Sequence, residues 1–278
     1  MSYLITGSGG FIGINLKEYF AGKYNLLTPR SYELDLTNRE SVRKYFKNND
    51  IEFIVHCSNR GGIRGIEDDD SVDTDNMLMV DNLINAKDDE TKMIVFGSGA
   101  QYDKTRSLHK VSENELFHSI PKDRYGKSKL EMAHIANNRD DIVCLTLFGC
   151  YGKHEKETRF PTYAIKQNIK SEPIIINQNA VFDYLYIHDL SKIIEHFIHH
   201  FPNNKVINVT PSESISMIII AEIVNELSNK KSEIIIKNSI CGNEYTGDNT
   251  LLLREIPNFS FTDYKYGLSK LMTYLNKM

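Results

Sequence analysis

The sequence predicts an α/β fold, a doubly wound parallel sheet with a small C-terminal α/β lobe. Three observations carry this reading. Short apolar runs alternate with helical stretches through the first half of the chain, the pattern of parallel strands joined by crossover helices. The first apolar run turns directly into a glycine cluster that opens a helix. After Gly149 the rhythm weakens, which is where a second part would begin.

Taken in order, Tyr3-Leu4-Ile5 reads as the first strand, Gly7-Ser8-Gly9-Gly10 as its turn and Phe11 to Phe20 as a helix. Leu26-Leu27 follows as the second strand. Asp35-Leu36-Thr37 opens the next helix, with Thr37 as N-cap and Glu40 as its capping-box partner. Ile51 to Cys57, Met93 to Phe96 and Ile142 to Phe148 read as further strands, with helices Met77 to Ala86 and Tyr125 to Ala136 between them. Beyond Gly149, Lys153 to Glu157 is a charged loop and Arg159-Phe160-Pro161 starts a new element. Phe182 to Ile187 reads as a strand, Leu190 to His199 as a helix, Val206 to Val209 as a strand and Ser214 to Leu227 as an amphipathic helix. This gives a Rossmann-type cofactor domain over residues 1–149, to which 182–209 return. Residues 150–181 and 210–278 form the substrate lobe. Right-handed crossovers place the strand C-terminal ends on one edge, where ligands bind.

The 278 residues allow a sizeable core, and 41% hydrophobic with 25% charged residues suits a globular protein. Lys plus Arg is 33 and Asp plus Glu is 37, a net charge of −4. No basic excess invites nucleic acid or an anionic membrane. Apolar runs such as Met217 to Ala221 fall far short of the roughly 20 residues of a membrane helix. The start of the chain lacks signal-peptide features. The four cysteines show no CxxC pairing and read as reduced thiols. A cytoplasmic location is expected. Glu67-Asp68-Asp69-Asp70 reads as a solvated loop, and no metal is expected.

Gly7, Gly10 and Gly13 form GxxGxxG at the first strand-to-helix turn. Glycines there let the backbone approach a pyrophosphate, and the helix N-terminus adds N–H donors and partial positive charge. An acidic residue at the end of the second strand would suit the NAD ribose, and Arg the 2′-phosphate of NADP. The stretch here is Leu27-Thr28-Pro29-Arg30-Ser31, which favours NADP and leaves NAD possible. Asp35 suits the adenine edge.

YxxxK occurs three times, at Tyr19/Lys23, Tyr125/Lys129 and Tyr266/Lys270. The first pair lies at the back end of a helix and the third outside the alternating region. Tyr125/Lys129 opens a helix that can face the cofactor, with both side chains on one face. Ser98 ends the fourth strand at the same edge. Together they suit carbonyl/alcohol redox chemistry. Ser98 would bond the substrate oxygen and Tyr125 would exchange its proton. Lys129 would depress the Tyr125 pKa and bind the nicotinamide ribose.

These residues resemble the extended short-chain dehydrogenase/reductase superfamily, in its NAD-dependent epimerase/dehydratase branch. The markers are Thr6 to Gly13, Asp35-Leu36-Thr37, Ser98, Tyr125-Gly126-Lys127-Ser128-Lys129, Tyr151-Gly152, Phe182 to Leu190 and Asn208-Val209. The resemblance implies cofactor contacts at Phe11, Ile12, Leu36, Cys57, Ser58 and Asn76, besides Gly7, Gly10, Gly13, Arg30, Asp35 and Lys129. It implies a lobe that grips a nucleotide-sugar, with Asn59, Arg60, Ser98, Gly99, Arg159 and Arg254 as substrate candidates. It also implies a homodimer built on the helices Met77 to Ala86 and Tyr125 to Ala136.

A 4,6-dehydratase of this branch carries an Asp-Glu pair after the catalytic hydroxyl; here those positions are Gly99 and Ala100. Arg60-Gly61-Gly62-Ile63, Asp75 to Ile84, and Thr28 to Leu36 look most like the GDP-fucose synthase group. That group epimerises C3 and C5 before reducing C4 with NADPH, using a Cys two residues past the Ser and a His in the loop after the YG segment. Ala100 replaces the Cys, and the shortened loop holds only His154. The expected activity is therefore NADPH-dependent reduction of a nucleotide-linked 4-keto-6-deoxy sugar. An NAD-retaining C4-epimerase and a non-catalytic NADP-sensing regulator stay open as alternatives.

Overall fold

A computed structural model describes residues 2–62 and 66–277. Ile63, part of a stretch that carries the resemblance, lies outside the described residues. The chain begins β1 (Ser2–Thr6), α1 (Phe11–Phe20), β2 (Leu26–Leu27), α2 (Arg39–Lys47), β3 (Ile51–His56), α3 (Val72–Ala86), β4 (Lys92–Ser98), β5 (Leu108–Val111), α4 (Arg124–Asn137) and β6 (Ile142–Leu147). It continues β7 (Cys150–Tyr151), α5 (Phe160–Lys170), β8 (Ile174–Gln178), β9 (Val181–Phe182), β10 (Leu185–Tyr186), α6 (Ile187–His199) and β11 (Val206–Asn208). It ends β12 (Ile215–Ser216), α7 (Met217–Leu227), β13 (Ile234–Asn238), β14 (Tyr245–Gly247), α8 (Thr250–Glu255) and α9 (Tyr264–Leu275).

Six strands form one parallel sheet in the order β11-β6-β4-β3-β1-β2. Both faces are covered, so its strands are apolar runs and successive residues serve opposite cores. Leu4, Ile54, Met93 and Cys144 face α2, α3 and α4. Their neighbours Ile5, Val55, Ile94 and Leu145 face α1 and α6. The chain reverses its direction of sheet growth between β1 and β3, which opens a crevice at the C-terminal ends of those strands. A third core joins α5, α7, α9 and β8.

The two parts interleave. β5 lies within the first 149 residues yet pairs with β14 in a four-stranded sheet of order β12-β9-β14-β5. Leu252 of α8 packs in the same core as α1 and α6.

Local boundaries depart from the sequence expectation for definable reasons. Asn38, not Thr37, caps α2: its Oδ1 accepts from the Ser41 N–H at 3.0 Å, while Thr37 is tied to Asp35 Oδ1 through N–H and hydroxyl. Helix α3 begins at Val72, five residues before Met77. The expected strand over 182–187 is broken, because the buried Asp183 turns its carboxylate to the Gly247 N–H and the Ser214 hydroxyl. Residues 215–216 form β12, and α7 starts only at Met217. Among the described residues no helix is long and apolar enough to cross a membrane.

Candidate active site

The cleft at the β1–β3 crevice is built from backbone. Gly7 has φ +62, and a Cβ there would meet Ser58 N at 2.6 Å. At Gly13 a Cβ would sit 2.3 Å from the Gly7 carbonyl oxygen. The turn, helix α1 and the segment after β3 therefore touch main chain to main chain. Gly10 caps α1 without a side chain, which leaves the first-turn amides of Phe11, Ile12 and Gly13 for an anion. Gly7, Gly10, Arg30, Asp35, Leu36, Cys57 and Ser58 line a cleft of about 450 Å³, together with Asn59 and Arg60. The Arg30 guanidinium lies across the turn, with Nη1 2.3 Å from where a Gly9 Cβ would stand. The glycine cradle, the uncapped helix end and the overlying cation fit a dinucleotide phosphate. Sequence reasoning missed Ser8, Gly9, Leu34 and Met79, which also line the cleft. Ser8 and Gly9 were visible within the glycine turn, whereas Met79 comes from α3 and carries no local signal.

Ser98 ends β4, where a short 3₁₀ turn over Gly99–Tyr102 lifts the chain off the sheet. Tyr125 stands in the first turn of α4, which Asp123 caps by accepting from the Gly126 N–H at 2.9 Å. Lys129 lies one turn on, 4% exposed, and its Nζ is 5.4 Å from the Tyr125 ring centroid. It donates to the Phe96 carbonyl at 2.8 Å, and burial lowers its pKa to about 8. Burial pushes the Tyr125 phenol up, while the Ser98 hydroxyl and the Arg159 guanidinium pull it down. Arg159 precedes α5, is exposed, and lies near enough for its charge to act on the Tyr125 phenol. The structure thus brings Ser98, Tyr125, Lys129 and Arg159 together, with Gly99 and Ala100 buried beside them. Two hydroxyl donors with a cation under one of them can polarise a carbonyl and protonate its oxygen.

Other candidates are engaged within the protein or lie away from the cleft. Asn76 is 0% exposed and spends both halves of its amide on the main chain of Arg60, so it braces a loop rather than facing the cleft. The Arg60 guanidinium is held by Asp69, Asp75 and Ser71. Arg254 is exposed in the last turn of α8, beside Glu255, which binds Asn204 at the far end of β11 from the ligand edge. The acidic loop is not merely solvated. Asp68 accepts from the Gly62 and Tyr125 amides at 2.9 and 3.2 Å, and Asp70 pairs with Arg124 at 2.6 Å. His154 faces α1 and α9, bound to Glu18 at 2.8 Å and Tyr274 at 3.1 Å. Tyr19 and Lys23 join Glu195 of α6 on the outside of the sheet. One site residue had no signal: Tyr245 of β14 places its hydroxyl 3.4 Å from Ser98 Oγ.

Residues 3–210 match the NAD dependent epimerase/dehydratase family. The chain is 27% identical over 304 residues to the GDP-L-colitose synthase of Yersinia pseudotuberculosis, covering 99% of this chain and 97% of that protein. It is 24% identical to the GDP-6-deoxy-D-talose 4-dehydrogenase of Aggregatibacter actinomycetemcomitans, covering 100% of this chain and 98% of that one. Its fold is that of a GDP-L-fucose synthetase from Naegleria fowleri, with a TM-score of 0.84 at 15% identity over 99% of this chain and 92% of the other.

Proposed function

Because the chain belongs to the NAD-dependent epimerase/dehydratase family, we propose that it reduces the C4 keto group of a nucleotide-linked 4-keto-6-deoxy sugar with NADPH. The observation that carries this is the composition of the site around Ser98. The groups needed for reduction converge there, while Ala100, buried, stands where the epimerising relatives carry a Cys, and Gly99 and Ala100 stand where dehydratases carry Asp-Glu. His154, the other candidate base, is engaged at the α1–α9 junction. The GDP-sugars in the names of the two relatives named above support guanosine diphosphate as the carrier. Arg30 over the glycine turn supports NADPH through its 2′-phosphate.

NADPH, held by the α1 amides and Arg30, would supply the hydride that C4 accepts. Tyr125 gives its phenolic proton to O4 as the carbonyl π bond breaks, and Ser98 donates a hydrogen bond to the same oxygen. The Lys129 ammonium stabilises the phenolate until a proton returns from solvent. Arg159 would pair with substrate phosphate. Loss of NADPH absorbance with a panel of GDP-, UDP- and dTDP-linked 4-keto-6-deoxy sugars tests the reading. Oxidation with the GDP sugar is expected, and inertness toward all of them contradicts it. NAD retained through purification, with C4 epimers interconverted and no NADPH consumed, would replace it by a C4-epimerase.

A further inference from the structure

Tyr245 stands 147 positions along the chain from Ser98 and takes no part in the proton transfer just described. Its Oη lies 3.4 Å from Ser98 Oγ. The ring fills space that a side chain at position 99 would need, since a Cβ on Gly99 would meet Tyr245 Oη at 2.7 Å. It packs against Phe148 and Phe182 at centroid distances of 5.3 and 6.2 Å. Its strand is fixed on both sides, opposite Leu108 of β5 and Phe182 of β9. The buried Asp183 carboxylate accepts from the Gly247 N–H at 2.8 Å and secures the strand end.

A serine oxygen accepts two hydrogen bonds and donates one. Ser98 Oγ already accepts from the Ala100 N–H at 3.3 Å. In a phenol–alcohol pair the phenol is the stronger acid and donates. Burial pushes the Tyr245 phenol far up from its ordinary value, so it keeps its proton throughout the neutral range. With Tyr245 as the donor, both acceptor sites of Ser98 would be filled and its own proton left for a third partner.

We propose that Tyr245 is a positioning residue that donates to Ser98 Oγ and directs the Ser98 proton at the C4 oxygen of the substrate. The proposal rests on the reductase reading above. It also means that the small four-stranded sheet, which carries Tyr245, sets the orientation of a hydroxyl on the large sheet.

The test is a double-variant cycle in the full chain, assayed by NADPH oxidation with the GDP-linked keto sugar. Tyr245→Phe keeps the ring and its packing. We expect kcat to fall about fivefold to tenfold, the worth of one hydrogen bond. KM for the sugar, NADPH affinity by fluorescence quenching and the melting temperature should stay near wild type. Ser98→Ala should cost about 10²-fold or more in kcat, and adding Tyr245→Phe to it should cost nothing further, because Tyr245 acts through Ser98. Multiplicative losses, or a Tyr245→Phe enzyme as fast as wild type, would overturn the proposal alone. A wild-type chain inert toward the keto sugars removes the reductase reading, and this proposal with it.

Discussion

Lys129 occupies a place where a charged amine is costly. Burial draws its pKa down to about 8, with Cys144 and Cys57 nearby pulling the other way. His56, at the end of β3, is driven to about 3 by burial and by the Lys129 charge, so it stays neutral and hydrogen-bonds Thr6 at 2.8 Å. The Tyr125 phenol is raised. The first group to lose its working charge as pH rises is therefore Lys129. The proposed reduction needs that cation to stabilise the phenolate, so kcat/KM should be flat through neutrality and fall about tenfold per pH unit above roughly pH 8. A pH–rate profile checks this. Lys129→Met should lower the rate and abolish the limb near 8; a limb that persists in the variant belongs to another group. Lys129 and Tyr125 were legible in the sequence because a single helix turn separates them. Tyr245 was not, since its relation to Ser98 exists only once two distant strands meet. The acidic loop read as solvated for a similar reason: Asp68 and Asp70 find their partners on α4.

The strands of the large sheet were legible because sandwiching between helices makes them mostly apolar runs. The short elements β5, β9, β12 and β14 carry two to four residues each. That is too little for a period to show, and their pairing is set by partners such as Leu108 and Tyr245 far apart in the chain. The loop between β7 and α5 hides another feature that composition does not reveal. It read as a run of charge, yet Glu155 within it is 9% exposed. Its Oε2 accepts from the Thr162 hydroxyl at 2.6 Å, and burial raises its pKa from 4.5 to about 8. Between those values the folded chain holds a proton that the unfolded chain releases, so stability falls as pH rises from about 4.5 to 8. Glu155→Gln keeps an oxygen for Thr162 and removes the titration. Melting temperatures at pH 5 and pH 8 should fall less for the variant than for wild type, whereas parallel falls would contradict the assignment.

At the scale of the whole molecule, the large sheet presents the cofactor crevice and Ser98, while β14 brings Tyr245 to Ser98 and the start of α5 brings the Arg159 charge to bear on Tyr125. A net charge of −4 over 278 residues provides no general attraction for a phosphorylated ligand. On the proposed reading, binding rests on local devices: the α1 amides, Arg30 and Arg159. A ligand that binds only the folded chain stabilises it by about 2.7 kcal/mol at a hundredfold excess over Kd. NADPH should therefore raise the melting temperature more than NADH does. Arg30→Ala should erase that difference while leaving the NADH shift unchanged. An equal loss with both cofactors would place Arg30 away from the 2′-phosphate. The most direct test of the account is NADPH absorbance followed with a GDP-linked 4-keto-6-deoxy sugar, for wild type and Tyr125→Phe side by side. The account predicts stoichiometric oxidation and a C4 alcohol from wild type, and from the variant a loss of at least about 10²-fold in rate with NADPH still bound. No oxidation by wild type, or an undiminished rate in Tyr125→Phe, would contradict it.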